Sequence, residues 1–314
     1  MACLAWVFLQ LIDSVQWIFY RDGGFLAHDL GFWALFIPVT GGLVAGLIIK
    51  YYAHEARGHG VPVVMEAVAV KQARLSTRVA LAKGAAAATC IGTGFSLGRI
   101  GPLILMASTF GSEVGQRTGL SVAETRTMVG CGAAAALTTA FNAPLGGVIF
   151  AIELILTEFR TRSFIPLVVA SVIATAVARA LKGDLTAFDS LPPYSLRSPL
   201  EYLLYLVLGV LAGLAATGFI KLLFSVDRLA ARLKQVPLPA QTALGGLAVG
   251  AIALSFPEVL GNGFDVTHGM LQGQADTTRL RGPDGILALG NLTLLLAALF
   301  ALKLLATSIS CLLY

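Results

Sequence analysis

Three glycine and proline breaks interrupt otherwise apolar sequence, and each has the pattern of a helix start. They are Gly58-His59-Gly60-Val61-Pro62, Gly98-Arg99-Ile100-Gly101-Pro102 and Asn142-Ala143-Pro144. Proline is favoured in the first helical turn, where its missing N–H is no loss, and glycine allows a close approach of the backbone. The first four N–H groups of a helix lack internal partners, and the macrodipole adds about half a positive charge there. A helix start of this kind, buried among apolar residues, predicts a site for a small anion.

Two side chains in these breaks could assist anion binding. Arg99 is the only charged residue between Gly84 and Ser112, and an ionisable residue within an apolar span is by default a functional candidate. Two roles for Arg99 stay open: the guanidinium attracts the anion directly, or it donates to nearby backbone carbonyls. His59 could donate to an anion or titrate near neutral pH, although a histidine beside glycines at a helix start more often caps the helix.

The composition excludes most soluble proteins. Hydrophobic residues make up 57% of the 314 residues and charged residues only 12%, against about 25% charged residues in a soluble domain. The sequence contains no Walker loop, no nucleophile with a base and no paired carboxylates. We therefore expect a multi-pass integral protein of the cell membrane that is not an enzyme, with no cofactor and no metal site. The net charge of +5 fits basic residues between membrane helices and does not indicate a nucleic-acid partner.

The lengths of the uncharged stretches indicate a transporter or a channel. Some reach the roughly 20 residues that a spanning helix needs, and others are shorter. Short apolar helices are tolerated at membrane depth only where protein or a water-filled cavity surrounds them. The uncharged stretches cover 31–49, 84–98, 100–112, 127–152, 163–178, 202–220, 235–257 and 285–302.

The sequence resembles itself on the two sides of a polar, proline-containing linker. Four short matches occur in the same order, at separations of 203 to 220 residues. We interpret residues 1–182 as a first membrane half, 183–199 as the linker and 200–314 as a second membrane half. The matches pair 8–15 with 219–226, 41–48 with 245–252, 58–60 with 261–263 and 83–89 with 303–309.

Taken together, the breaks resemble the CLC family of chloride channels and chloride/proton antiporters. The resemblance rests on four segments in the family's order: GHGVP (58–62), GTGFSLGRIGP (92–102), GCGAAAALTTAFNAPLGGVIFAIE (130–153) and PEVLGNGFD (257–265). It implies an all-α membrane protein, built as an inverted-repeat bundle of tilted and partial helices. It also implies a homodimer in the lipid bilayer, with one chloride pathway in each subunit.

The resemblance assigns the anion site to the first two breaks. The first anion-binding loop would contain Gly58, His59, Gly60, Val61 and Pro62, and family members often have serine in place of His59. The second loop would contain Gly98, Arg99, Ile100, Gly101 and Pro102, with the N–H groups near Ile100 and Gly101 facing the anion. Structural roles are expected for Asn142 and Pro144, and for Glu153, which would accept hydrogen bonds from helix N-termini.

Departures from the family pattern predict a change in mechanism. The second loop of the family usually reads GREGP, and its glutamate acts as a gate that competes with the anion and carries a proton. Ile100 occupies the gate position here, and Leu154 occupies the position of the internal proton-accepting glutamate. Because neither side chain can bind a proton, we expect voltage-gated chloride channel-like transport that is passive and not proton-coupled.

The second half looks incomplete beside the first, and we expect a C-terminally truncated family member. The third family signature, a glycine-rich GxFxP helix start, and the late tyrosine of the pathway are not found in the sequence. An alternative therefore stays open: a non-conducting remnant, or a membrane partner of an intact relative.

Overall fold

The computed structural model consists mainly of helices in the part of the chain that it describes. The described residues are 1–20, 33–53, 60–157, 161–183, 198–230, 236–271 and 292–313. The helices are α1 (Ala2–Tyr20), α2 (Trp33–Tyr52), α3 (Gly60–Ala69), α4 (Thr77–Gly92), α5 (Ile100–Arg117), α6 (Val122–Phe141), α7 (Pro144–Phe150), α8 (Thr161–Lys182), α9 (Leu200–Ala230), α10 (Leu238–Ala253), α11 (Phe264–Leu271) and α12 (Leu292–Leu313). A π-helical turn, Ala151–Leu156, continues α7, and a 3-10 turn, Pro257–Val259, precedes α11. The predicted all-α membrane class is confirmed.

Both long and short apolar helices occur in the described part of the chain, as the uncharged stretches predict. Among the described residues, four helices are long and apolar enough to cross a membrane: Ala2–Tyr20, Leu35–Tyr52, Thr161–Leu181 and Leu200–Leu229. Shorter apolar helical segments cover Gly60–Ala69, Pro144–Leu156, Leu238–Ala253 and Ala298–Cys311. The uncharged stretch 84–98 is not a single helix: α4 ends at Gly92, and residues 93–98 are not helical.

The first of two compact units contains α1, the C-terminal part of α2 and α3–α8. Helices α5 and α6 pack against each other in this unit, and their backbones come into direct contact at Gly132. A Cβ atom on Gly132 would overlap the carbonyl oxygen of Ala107 and lie 2.7 Å from the Cα of Ser108. Close approach of this kind is typical of membrane helices with small residues at their interface, where van der Waals packing drives association.

Hydroxyl groups join the helices of this unit. The hydroxyls of Thr138 and Ser171 lie 2.6 Å apart, and Ser171 donates to the carbonyl oxygen of Pro144 at 2.7 Å. Ser112 on α5 donates to the carbonyl oxygen of Ala73 at 2.6 Å and accepts from the N–H of Leu75 at 3.1 Å. Each bond satisfies polar atoms that would be costly to leave unpaired in an apolar surrounding.

The second compact unit contains the N-terminal part of α2, the segment 93–97 and α9–α12. The segment 93–97 is deeply buried; Phe95 is fully buried, and Thr93 is too. Helix α9 is the longest of the described helices, and no residue of its apolar window Leu200–Leu229 is buried. Such a surface suits contact with lipid, because an apolar helix face needs no polar partner there.

A matched pair of glycine substitutions tests the α5–α6 contact. We expect Gly132→Ala to lower the free energy of unfolding by about 1–3 kcal/mol, the usual cost of overpacking, because its new methyl group meets the backbone of Ala107. The control is Gly213→Ala on α9, where a Cβ atom has no neighbour within 4 Å. Thermal unfolding of both variants in detergent measures the difference, and equal midpoints would contradict the packing.

Candidate functional site

The second glycine and proline break forms the start of α5. The helix begins at Ile100, and Arg99 is its N-cap, but no side chain caps it. The backbone N–H groups of Ile100 and Gly101 belong to the first turn and have no partner within the helix. Pro102 has no N–H to leave unpaired, and Leu103 donates weakly to the carbonyl oxygen of Arg99 at 3.4 Å. The start of α5 therefore combines backbone donors with the positive end of the helix dipole.

The first break forms the start of α3. Gly60 begins the helix, followed by Val61 and Pro62. Gly58 and His59, the other two residues predicted for this loop, lie outside the described residues, so the role of His59 stays a prediction. Gly60 and Val61 are half-buried, and Pro62 is exposed. The predicted helix start at the proline is confirmed for both loops.

The two helix starts are in direct contact. A Cβ atom on Gly60 would overlap the carbonyl oxygen of Gly101 and would lie 3.2 Å from the nitrogen of Pro102. The absence of a side chain at Gly60 is therefore what lets α3 begin against the second loop. Both positive helix ends lie within the same compact unit, and together they can stabilise one negative charge better than either end alone.

Open space lies beside the second loop. A Cβ atom on Gly98 or Gly101 would have no neighbour within 4 Å, whereas Gly60 has no such room. Gly98 is exposed, and Arg99, Ile100 and Gly101 are half-buried. A small ligand can therefore approach the backbone of this loop without displacing packed side chains.

The gate position holds an apolar side chain. Ile100 is the first residue of α5 and is half-buried beside the unpaired N–H groups. A carboxylate at this position could accept hydrogen bonds from those groups and so compete with an anion. Isoleucine has no acceptor and no ionisable group, and it leaves the donors available.

Glu153 lies on the exposed face of a short helical turn. It lies in the π-helical turn Ala151–Leu156 and is exposed, and no hydrogen bond of its side chain is seen among the described residues. The wider π-helical turn places Ala151 and Ile155 on the buried face, and Glu153 and Leu154 on the exposed face. The role of Glu153 as an acceptor of hydrogen bonds from helix N-termini stays a prediction.

Asn142 and Pro144 have the geometry of structural residues. Asn142 ends α6 in the left-handed conformation, with φ of 52°, and its Oδ1 accepts from Nε of Arg179 at 3.4 Å. Pro144 is the first residue of α7, and its carbonyl oxygen accepts from Ser171. Both residues shape the turn between α6 and α7, some distance along the chain from the two loops.

The polar contacts of the segment 93–97, which precedes the second loop, were not predicted from the sequence. Gly94, Ser96 and Lys303 take part in a hydrogen-bonded group in the second unit. Lys303 was noticed only as part of a repeat match. The available signal was its position as the single charge in the apolar sequence of α12, which is the same criterion that singled out Arg99.

The chain is similar in sequence to chloride channel proteins over most of its length. The family described as voltage gated chloride channel matches residues 41–313. A Ralstonia nicotianae protein named "Putative chloride channel protein ClcB-like" is 37% identical over 274 residues, which cover 84% of this chain and 63% of that protein. A Yersinia pseudotuberculosis "Voltage-gated ClC-type chloride channel ClcB" is 32% identical over 251 residues, covering 78% of this chain and 60% of that protein. The chain thus spans about 60% of the length of these relatives.

Solved structures share the fold. A slow cyanobacterial Cl⁻/H⁺ antiporter aligns with a TM-score of 0.81 at 22% identity, covering 99% of this chain and 71% of the other. A CLC-type fluoride/proton antiporter aligns with a TM-score of 0.77 at 18% identity, covering 98% and 72%. The helix arrangement and the family match over most of the sequence agree, and the chain is a multi-pass integral membrane protein that belongs to the voltage-gated chloride channel (CLC) family.

Proposed function

We propose that this chain carries chloride or a similar small anion passively through a site formed by the starts of α3 and α5. The observation that carries the proposal is the contact of Gly60 with Gly101, because it brings the positive ends of two helices to one place. Backbone N–H groups can replace part of the hydration shell of an anion without binding it as tightly as a full countercharge would. An ion can therefore enter the site and leave it again.

The absence of proton coupling is proposed from two positions. Ile100 stands at the start of α5, and Leu154 lies on the exposed face of the π-helical turn. Neither side chain can take up or release a proton, so no proton needs to accompany the anion at these positions. The structural relatives named as antiporters share the fold, and the proposal for this chain rests on its own Ile100 and Leu154.

We also propose that two copies of the chain pair in the bilayer through α7 and α8. The support is the family resemblance together with the exposed apolar side chains of Leu145, Ile149 and Ile165. Oxidative cross-linking of a Leu145→Cys variant tests the proposal, with Leu208→Cys on the equally exposed α9 as the control. We expect a cross-linked dimer from the first variant; equal yields from both would contradict a specific pair.

Substitution at Gly60 tests the anion site itself. We expect Gly60→Ala to reduce chloride efflux from liposomes by about tenfold or more, because separating the two helix starts removes interactions of roughly 1.4 kcal/mol or more. Gly209→Ala on α9 is the matched control, since its Cβ atom meets nothing within 4 Å. Wild-type efflux in the Gly60→Ala variant would contradict the site.

Restoring a carboxylate at the gate position tests the loss of side-chain gating. We expect Ile100→Glu to make chloride efflux pH-dependent, with efflux at pH 7.5 about tenfold below that at pH 4.5. A carboxylate at the helix start competes with the anion, while its protonated form does not.

The matched control for this substitution is Ile100→Gln, which has a similar size and cannot ionise. Its efflux is expected to be the same at both pH values. If the glutamate and glutamine variants show the same pH profile, the start of α5 is not on the anion pathway.

A further inference from the structure

Lys303 is a charged residue in the apolar helix α12, and its ammonium group donates hydrogen bonds to backbone carbonyl groups. It is the single charge in the sequence of α12, Leu292–Leu313. Its Nζ donates to the carbonyl oxygens of Val259, Leu260 and Gly261 at 2.7, 3.3 and 2.8 Å. An ammonium group has three donors and no acceptor, so three carbonyl oxygens match its donors in number.

The three carbonyls belong to a tight turn between α10 and α11. The turn begins with the 3-10 segment Pro257–Val259 and continues through Gly261 and Gly263, which have φ of 65° and 81°. Val259 and Leu260 are buried. Carbonyl groups that face away from water need hydrogen-bond donors, and bonds from a charged donor are stronger than those from a neutral one. Lys303 therefore stabilises the shape of this turn.

The turn at residues 257–261 contacts the segment 93–97. The N–H of Gly261 donates to the carbonyl oxygen of Gly94 at 3.0 Å. One helical turn beyond Lys303, the hydroxyls of Thr307 and Ser96 lie 2.9 Å apart. Thr307 uses its one proton to donate to the carbonyl oxygen of Lys303 at 2.8 Å, so Ser96 donates to Thr307. Two consecutive turns of α12 thus contact the segment 93–97. Thr307 bonds to Ser96 directly, and Lys303 acts through Gly261, which bonds to Gly94.

The segment 93–97 leads directly into the second anion loop, because Gly98 follows Leu97 in the chain. The segment is not helical, and its path therefore depends on these contacts and not on an internal hydrogen-bond ladder. We propose that Lys303 is a positioning residue for the segment that leads into the second anion loop: its ammonium group orders the 257–261 turn, which in turn holds Gly94 in that segment. The inference rests on the anion site proposed above.

Hydrogen exchange tests the positioning without any requirement for transport. In the Lys303→Met variant of the full chain, we expect amides in the peptide 92–101 to exchange about tenfold faster, the loss that corresponds to a hydrogen bond with a charged group. The matched control is Lys221→Met on α9, which removes an exposed lysine and is expected to leave this peptide unchanged. Unchanged exchange in Lys303→Met would overturn the inference.

Faster exchange in α5 and α6 as well would show that Lys303→Met unfolds the protein. A milder variant, Ser96→Ala, is used for that case. Ser96→Ala removes one hydroxyl and keeps Lys303. We expect its faster exchange to be confined to the same peptide, and no change there would overturn the inference. Lys303→Arg, which keeps the positive charge but has a planar donor arrangement, is expected to recover the slow exchange only in part; full recovery would show that charge alone suffices.

Anion efflux from liposomes then separates this inference from the proposed function. If the loop is displaced, Lys303→Met changes the ratio of chloride to nitrate efflux, and Lys221→Met does not. An unchanged ratio together with faster exchange would overturn the functional part of the inference. Absence of efflux from the wild-type chain would instead contradict the proposed function, while the exchange result would still decide whether Lys303 orders the segment.

Discussion

The contact between Gly60 and the carbonyl group of Gly101 is the constraint on which the candidate site depends. It requires a residue without a side chain at the start of α3, because a Cβ atom on Gly60 would overlap that carbonyl oxygen. It also gathers backbone N–H groups that helical geometry leaves unpaired. In an apolar surrounding such groups need a partner, and a small anion is a partner that matches their charge and number. The helix dipoles act in the same direction, so the attraction needs no fixed positive side chain.

Packing within the described fold stabilises the positions of α3 and α5. A helix of ten residues such as α3 is marginal by itself, and membrane burial of its start is possible only within protein. Packing of α5 against α6 supplies that surrounding on one side, with Gly132 allowing the close backbone contact. Along the chain, the second loop follows the non-helical segment 93–97, which contacts Gly261 and Thr307.

The helix starts could be predicted from the sequence because they depend on local chemistry. The contacts between helices could not be predicted in this way. Proline and glycine at 60–62, 98–102 and 142–144 indicated helix starts because each restricts the backbone locally, and helices do begin at Gly60, Ile100 and Pro144. The contact between Gly60 and Gly101 depends on how α3 and α5 pack, which no local pattern contains. The π-helical turn that exposes Glu153 inserts extra backbone into a helix, and side-chain periodicity gives no sign of it. The prediction of two halves, 1–182 and 200–314, remains a prediction.

The account's central claim is passive anion movement through the paired helix starts. Simultaneous recording of chloride efflux and external pH from liposomes containing the purified chain, under a chloride gradient and with the membrane potential clamped, tests it most directly. The account predicts chloride efflux with no accompanying proton movement, because Ile100 and Leu154 provide no group that carries a proton. Proton movement in a fixed ratio to chloride would contradict it, and so would a complete lack of efflux from folded protein.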